Sequence, residues 1–111
     1  MQITKKDNYI ILADDRDNPV AFAAHLERIV PEKYEMNNLV IDLLKYDQLN
    51  LDQLVTYIKL SNYQRGGKQS YVIVNKGINS DLVPDEMIVV PTLQEAEDII
   101  QMEEIERDLG F

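Results

Sequence analysis

The feature that most constrains the fold is a pair of short runs without polar alternation: Leu39-Val40-Ile41-Asp42-Leu43-Leu44, interrupted only by Asp42, and Tyr71-Val72-Ile73-Val74. A strand with one face in water alternates apolar and polar residues, so runs like these belong in the middle of a sheet that helices cover. Suitable helical stripes lie beside both. Asn18-Pro19 offers an N-cap and a first-turn proline. At about 100° per residue, Phe22, Ala23, Leu26, Ile29 and Val30 then share one face of a helix predicted over 19–30, with Pro31 as its stop. A second helix is predicted from Asn50 to Gly66-Gly67, with Leu51, Leu54, Val55 and Ile58 forming its apolar stripe.

The remaining segments complete the pattern. Ile3 to Asp7 and Tyr9-Ile10-Ile11-Leu12 read as two strands of a hairpin around Asp7-Asn8, and Met87 to Val90 reads as a last strand after the loop Asn75 to Glu86. Thr92 and Glu95 form a capping box behind Pro91, opening an acidic helix that reaches toward Leu109. The order is strand, strand, helix, strand, helix, strand, strand, helix, with no internal repeat. Such alternation over 111 residues gives one α/β domain, a single sheet with helices packed on it.

Composition narrows the chemistry. The chain has 20 acidic against 11 basic residues, a net charge of −9, one histidine and no cysteine. No zinc site, cysteine nucleophile, disulfide framework or multi-histidine metal centre can be built from that set, and no cofactor is expected. The acidic excess disfavours nucleic acid, which is held by clustered Lys and Arg. The first residues, Met1-Gln2-Ile3-Thr4-Lys5-Lys6-Asp7, place charges where an export signal has its apolar stretch, and no apolar run approaches the roughly 20 residues of a membrane span. A cytoplasmic protein without membrane contact is expected.

Individual motifs offer little catalysis. His25 lies at the margin of its helix's apolar stripe, as a half-buried structural histidine does, and Ser61, Ser70 and Ser80 have neither a glycine elbow nor a neighbouring base. Gly66-Gly67-Lys68 leaves a helix and enters a strand, the reverse of a phosphate loop, and reads as a C-cap. The carboxylates Asp14, Asp15 and Asp17, and separately Asp81, Asp85 and Glu86, lack the spacing of a calcium loop and read as solvated turns. The last helix stands out. Leu93, Ala96 and Ile100 cluster on one side, but Met102, Ile105 and Leu109 cluster on nearly the opposite side. Either the segment 102–111 docks on a second copy or a partner, or the helix breaks near Gln101 and its tail folds back.

The order of elements, with Leu39-Val40-Ile41-Asp42-Leu43, Arg65-Gly66-Gly67-Lys68, Tyr71-Val72-Ile73-Val74 and Val90-Pro91-Thr92-Leu93-Gln94-Glu95-Ala96, resembles a STAS domain, the fold of the anti-sigma factor antagonists. The resemblance spans nearly the whole chain. It implies a single STAS-like domain over 1–111, a mixed sheet of four or five strands with helices mainly on one side, and 102–111 as a helical extension. It also implies a non-enzymatic regulator that binds a protein partner. The implied partner surface is the loop Asp47, Gln48, Leu49, Asn50 and Leu51, to which the helix arithmetic adds Ile105, Leu109 and Phe111, with a homodimer through the last helix as one form of contact. A STAS-like domain holding a small apolar ligand or nucleotide is the alternative.

Two departures matter. The antagonists carry Asp-Ser-Ser-Gly before the second helix, and their phosphorylated serine falls here on Asn50 or Leu49, neither of which accepts a phosphate. The stretch Gly77 to Asp85 is also too short for the helix the family has between its last two strands. The closing run from Val90 to Phe111 is similar to that of short acidic Bacteroidetes proteins often labelled ribonuclease Z. A single histidine cannot hold the two zinc ions of that nuclease.

Overall fold

A computed structural model describes residues 1–110. The elements are β1 (Gln2–Lys5), β2 (Ile10–Ala13), α1 (Pro19–Lys33), β3 (Leu39–Asp42), α2 (Leu51–Leu54), α3 (Ile58–Gly66), β4 (Tyr71–Val74), β5 (Ile88–Val90) and α4 (Leu93–Asp108). A 3-10 turn over Val55–Tyr57 joins α2 to α3, and a second, Ser80–Leu82, lies between β4 and β5.

The strands form one five-stranded sheet whose spatial order is the chain order, β1-β2-β3-β4-β5. β1 runs antiparallel to β2, and β2 through β5 are mutually parallel, with Ile11 opposite Val40, Val40 opposite Val72 and Val72 opposite Ile88. Each parallel crossover therefore steps in the same direction across the sheet. Right-handed crossovers that all step one way deliver their helices to one face. That face carries Ile10, Leu12, Leu39, Ile41, Tyr71 and Ile73, packed under Phe22, Leu26 and Val30 of α1 and Leu54, Tyr57 and Leu60 of the α2–α3 segment.

The opposite face, with Tyr9, Ile11, Val40, Val72 and Val74, is equally apolar and receives no crossover helix. It is closed by α4, which contributes Ala96 and Ile100. Helices thus lie mainly on one side, with α4 alone on the other, and this is why β3 and β4 lack polar alternation.

Three local expectations are corrected. Pro31 does not stop α1, which runs on to Lys33. Burial of Val30 outweighs the local penalty, and the Tyr34 amide donates to the Val30 carbonyl at 2.8 Å to cap the extra turn. The second helix is not uniform. Thr56 Oγ1 donates to the Gln53 carbonyl at 2.6 Å, the acceptor that the Tyr57 amide would use in an unbroken α-helix, and the backbone tightens there into the 3-10 turn. Finally, α4 is continuous through Gln101 and neither breaks nor folds back.

At the end of α3, Gly67 is the C-cap, and the left-handed residue after it is Lys68, at φ 65°. The Lys68 amide donates to the Arg65 carbonyl and the Gln69 amide to the Gln64 carbonyl, the two bonds of a Schellman motif.

Candidate functional site

The loop between β3 and α2 is shaped by its caps. Asn50 is the N-cap of α2: its side chain accepts from the Gln53 amide at 2.9 Å, and the Gln53 side chain accepts from the Asn50 amide at 3.1 Å. Leu49, just before the cap, and Leu54, four residues into the helix, are both buried in the first core, the arrangement of a hydrophobic staple. Leu49 is therefore a core residue and Leu51 is half-buried against the same core, while Asp47, Gln48 and Asn50 are exposed.

The loop is held from behind by residues that sequence reasoning missed. Asn75, at the end of β4, donates to the carbonyls of Leu43 and Tyr46 at 2.8 and 2.9 Å and accepts from the amides of Gly77 and Ile78, both at 3.0 Å. Gly77 lies so close that a Cβ there would come within 2.5 Å of the Asp47 carbonyl oxygen. The Asn-x-Gly turn after a buried strand was the available signal. From the other side, Lys45 donates to the Arg16 carbonyl at 2.5 Å and pairs with Asp17 at 3.2 Å. The Tyr46 hydroxyl donates to Asp14 and lies 3.0 Å from the Arg16 carbonyl. Burial, reinforced by the hydrogen bond to the Asp14 carboxylate, pushes the Tyr46 hydroxyl well above its ordinary pKa, so it remains a donor. Asp14, Asp15 and Asp17 are engaged by Tyr46, the Met1 amine and Lys45 respectively. Among the described residues, no group of three or more metal-ligating side chains is positioned to hold an ion.

The second surface is α4. Its inward side is apolar at Ala96 and Ile100, with half-buried Ile99 beside them, and polar below them. Glu103 pairs with Arg65 at 2.6 Å, and Glu104 accepts from Asn8 and Asn38 at 3.0 and 2.7 Å. Arg107 reaches Asn38 Oδ1 and Ser70 Oγ, each at 3.3 Å. Asn38 is the hub, buried, accepting also from the Ser70 amide at 2.8 Å and donating to the Asn8 carbonyl at 3.0 Å. These contacts fasten the C-terminal half of α4 to its own sheet and turn Met102, Ile105 and Leu109 outward, 51, 60 and 66% exposed. Phe111 lies outside the described residues.

The expected partner residues thus fall on two separate surfaces. α4 begins just after β5 and ends beside Asn8, Asn38 and Ser70, which precede β2, β3 and β4; the Asp47–Asn50 loop follows β3 at the other end of the strands. Elsewhere, His25 is half-buried with its Nδ1 3.1 Å from an Arg28 guanidinium nitrogen. The Ser61 hydroxyl faces the Glu86 carbonyl and the Ser70 hydroxyl faces Arg107. Among the described residues, no helix is long and apolar enough to cross a membrane.

No protein-family model matches the chain, and a search of curated proteins finds no significant match to it.

Proposed function

We propose that this chain is a non-enzymatic, STAS-like regulatory module that acts by binding a protein partner. The observation that carries the reading is the orientation of α4. A helix whose only task is to close its own sheet turns its large apolar side chains inward along its length, whereas the C-terminal half of α4 docks through polar residues and leaves Met102, Ile105 and Leu109 as an outward row. The STAS resemblance of the sequence supports a regulatory role. Because the antagonists' phosphoserine falls on Asn50 or Leu49, neither of which accepts a phosphate, control by phosphorylation at that position is not part of the proposal. The exposed loop residues Asp47, Gln48 and Asn50 offer a second contact region, braced by Asn75 and Gly77.

The small-ligand reading has one observation in its favour. A cleft of about 400 Å³ lies beside the start of α1, lined by Asp14, Arg16, Phe22, His25 and Arg28 among others.

The test is a photo-crosslinking amino acid placed in turn at Gln101, on the outer side of α4, at Gln48 in the loop, and at Asp81 as an exposed control. In the cells that make the protein, a discrete crosslinked protein at 101 or 48, missing at 81, is the expected result. Absence of any adduct at both positions sinks the interaction reading.

A further inference from the structure

We infer that the segment seated on the outer face of α4 is a basic amphipathic helix. This rests on the interaction reading above and adds the chemistry of the partner.

Charge complementarity gives the first argument. From Pro91 onward there are seven acidic residues against the single cation Arg107, so a net −6 of the chain's −9 rides on this segment. The structure turns that one cation inward, to Asn38 and Ser70. Outward, Glu95, Asp98, Glu106 and Asp108 are exposed, and among the described residues none of them pairs with a lysine or arginine. An apolar row rimmed by carboxylates that make no ion pair, with cations nearby only at Glu106, which shares a cleft with Arg65, Lys68 and Arg107, fits a partner with an apolar row rimmed by Lys and Arg. It rejects a second copy of itself. Packed helix axes lie roughly 8–10 Å apart, about one Debye length at physiological salt, so roughly a third of the repulsion between two such faces survives screening and opposes self-association.

Shape gives the second argument. Met102, Ile105 and Leu109 stand at i, i+3 and i+7, within about 60° of arc and over about 10 Å of axis. That is the anchor spacing of helix-to-helix contact. The face is a convex helix with no free backbone edge, so an added strand has nothing to pair with. The contacts of Glu103, Glu104 and Arg107 already fix α4, so the ordering cost of binding falls on the partner. Two turns of contact place the complex in the small, transient class, below about 1,200 Å² of buried surface.

The probes are three labelled 18-residue synthetic peptides. The first is an amphipathic helix with Leu at i, i+3, i+4 and i+7 and Lys or Arg elsewhere; the second is its scramble; the third keeps the Leu stripe with Glu replacing every cation. Binding to the full chain is read by anisotropy and by NMR shift mapping. The basic amphipathic peptide is expected to bind at least tenfold tighter than its scramble, with shifts centred on Met102, Ile105 and Leu109. The triple variant M102S/I105S/L109S, whose altered side chains are exposed and whose fold is checked by circular dichroism, is expected to lose at least tenfold. Equal binding of the scramble, binding of the acidic peptide, shifts centred away from α4, or a dimer in sedimentation that the triple variant abolishes overturns the inference. A native partner crosslinked at position 101 through a strand or an acidic segment overturns it too, and leaves the interaction reading standing.

Discussion

Two isoleucines five positions apart on α4 have opposite surroundings: Ile100 is 0% exposed in the second core and Ile105 is 60% exposed. Replacing each with Ala tests which way the helix faces. Ile100→Ala removes three carbons from a closed site, about 2.4 kcal/mol at 0.8 kcal/mol per methylene-sized group. A cavity contribution brings this to about 3–4 kcal/mol. Ile105→Ala removes the same three carbons, but only about 40% of their surface is covered, worth about 1 kcal/mol. The better helix propensity of Ala returns roughly half of that, leaving a cost of about 0.5 kcal/mol. Urea unfolding followed at 222 nm reads both from the midpoint, with the slope unchanged. In thermal melts the difference amounts to roughly 10 °C for a chain of this size. If Ile105→Ala costs more than about 1.5 kcal/mol, the tail docks inward in solution and the orientation argued above is wrong.

Other perturbations probe separate parts of the structure. Lys68 carries the left-handed conformation that favours glycine, so Lys68→Gly is expected to raise stability by about 0.5–1 kcal/mol, and a lower urea midpoint refutes that account. Asn38→Ala takes from Glu104 one of its two side-chain donors and from the buried Ser70 amide its acceptor, and is expected to cost about 2–4 kcal/mol in the same assay. Gly77→Ala forces a Cβ against the Asp47 carbonyl, at a cost of about 1–3 kcal/mol, with NMR shifts concentrated at residues 45–50. Burial pushes the Tyr57 and Tyr71 hydroxyls well above their ordinary value of 10.0. The unfolded chain therefore releases these protons first as pH rises. Their stabilisation is full below about pH 9 and falls above pH 10 by about 1.4 kcal/mol per group per pH unit. Tyr71→Phe, which removes a buried hydroxyl with no partner among the described residues, is expected to flatten that decline by one group at no loss of stability near neutral pH.

The fold was legible wherever local signals and tertiary packing agree. The runs around β2, β3 and β4 placed the sheet, and the caps Asn18, Asn50 and Thr92 each accept the amide expected of them, those of Ala21, Gln53 and Glu95. Pro31 misled because its penalty is local, whereas the burial of Val30 that outweighs it is tertiary. The lower half of α4 was legible in part: the opposite placement of Met102, Ile105 and Leu109 was readable, and what holds the helix there was not. Periodicity scores only apolar residues, but this stretch docks through Glu103, Glu104 and Arg107, whose partners lie 37 to 96 residues away in the chain. An amphipathic pattern read without partners cannot distinguish an inward polar stripe from an outward one. Leu49 was readable in retrospect from its spacing to Leu54 across the cap; for Asn75 the Asn-x-Gly turn was readable but its bracing role was not, because the carbonyls it binds belong to the loop after another strand.

The sheet's chain-ordered layout also has a temporal side. During synthesis β1 to β5 emerge in the order in which they pair, and the first core can close once Met87 and β5 are out. The face carrying Tyr9, Ile11, Val40, Val72 and Val74 has no cover until α4 follows. Throughout that interval the nascent domain displays a bare apolar sheet, open to chaperones and to neighbouring chains, and the acidic helix that finally seals it also brings most of the charge that keeps finished copies apart.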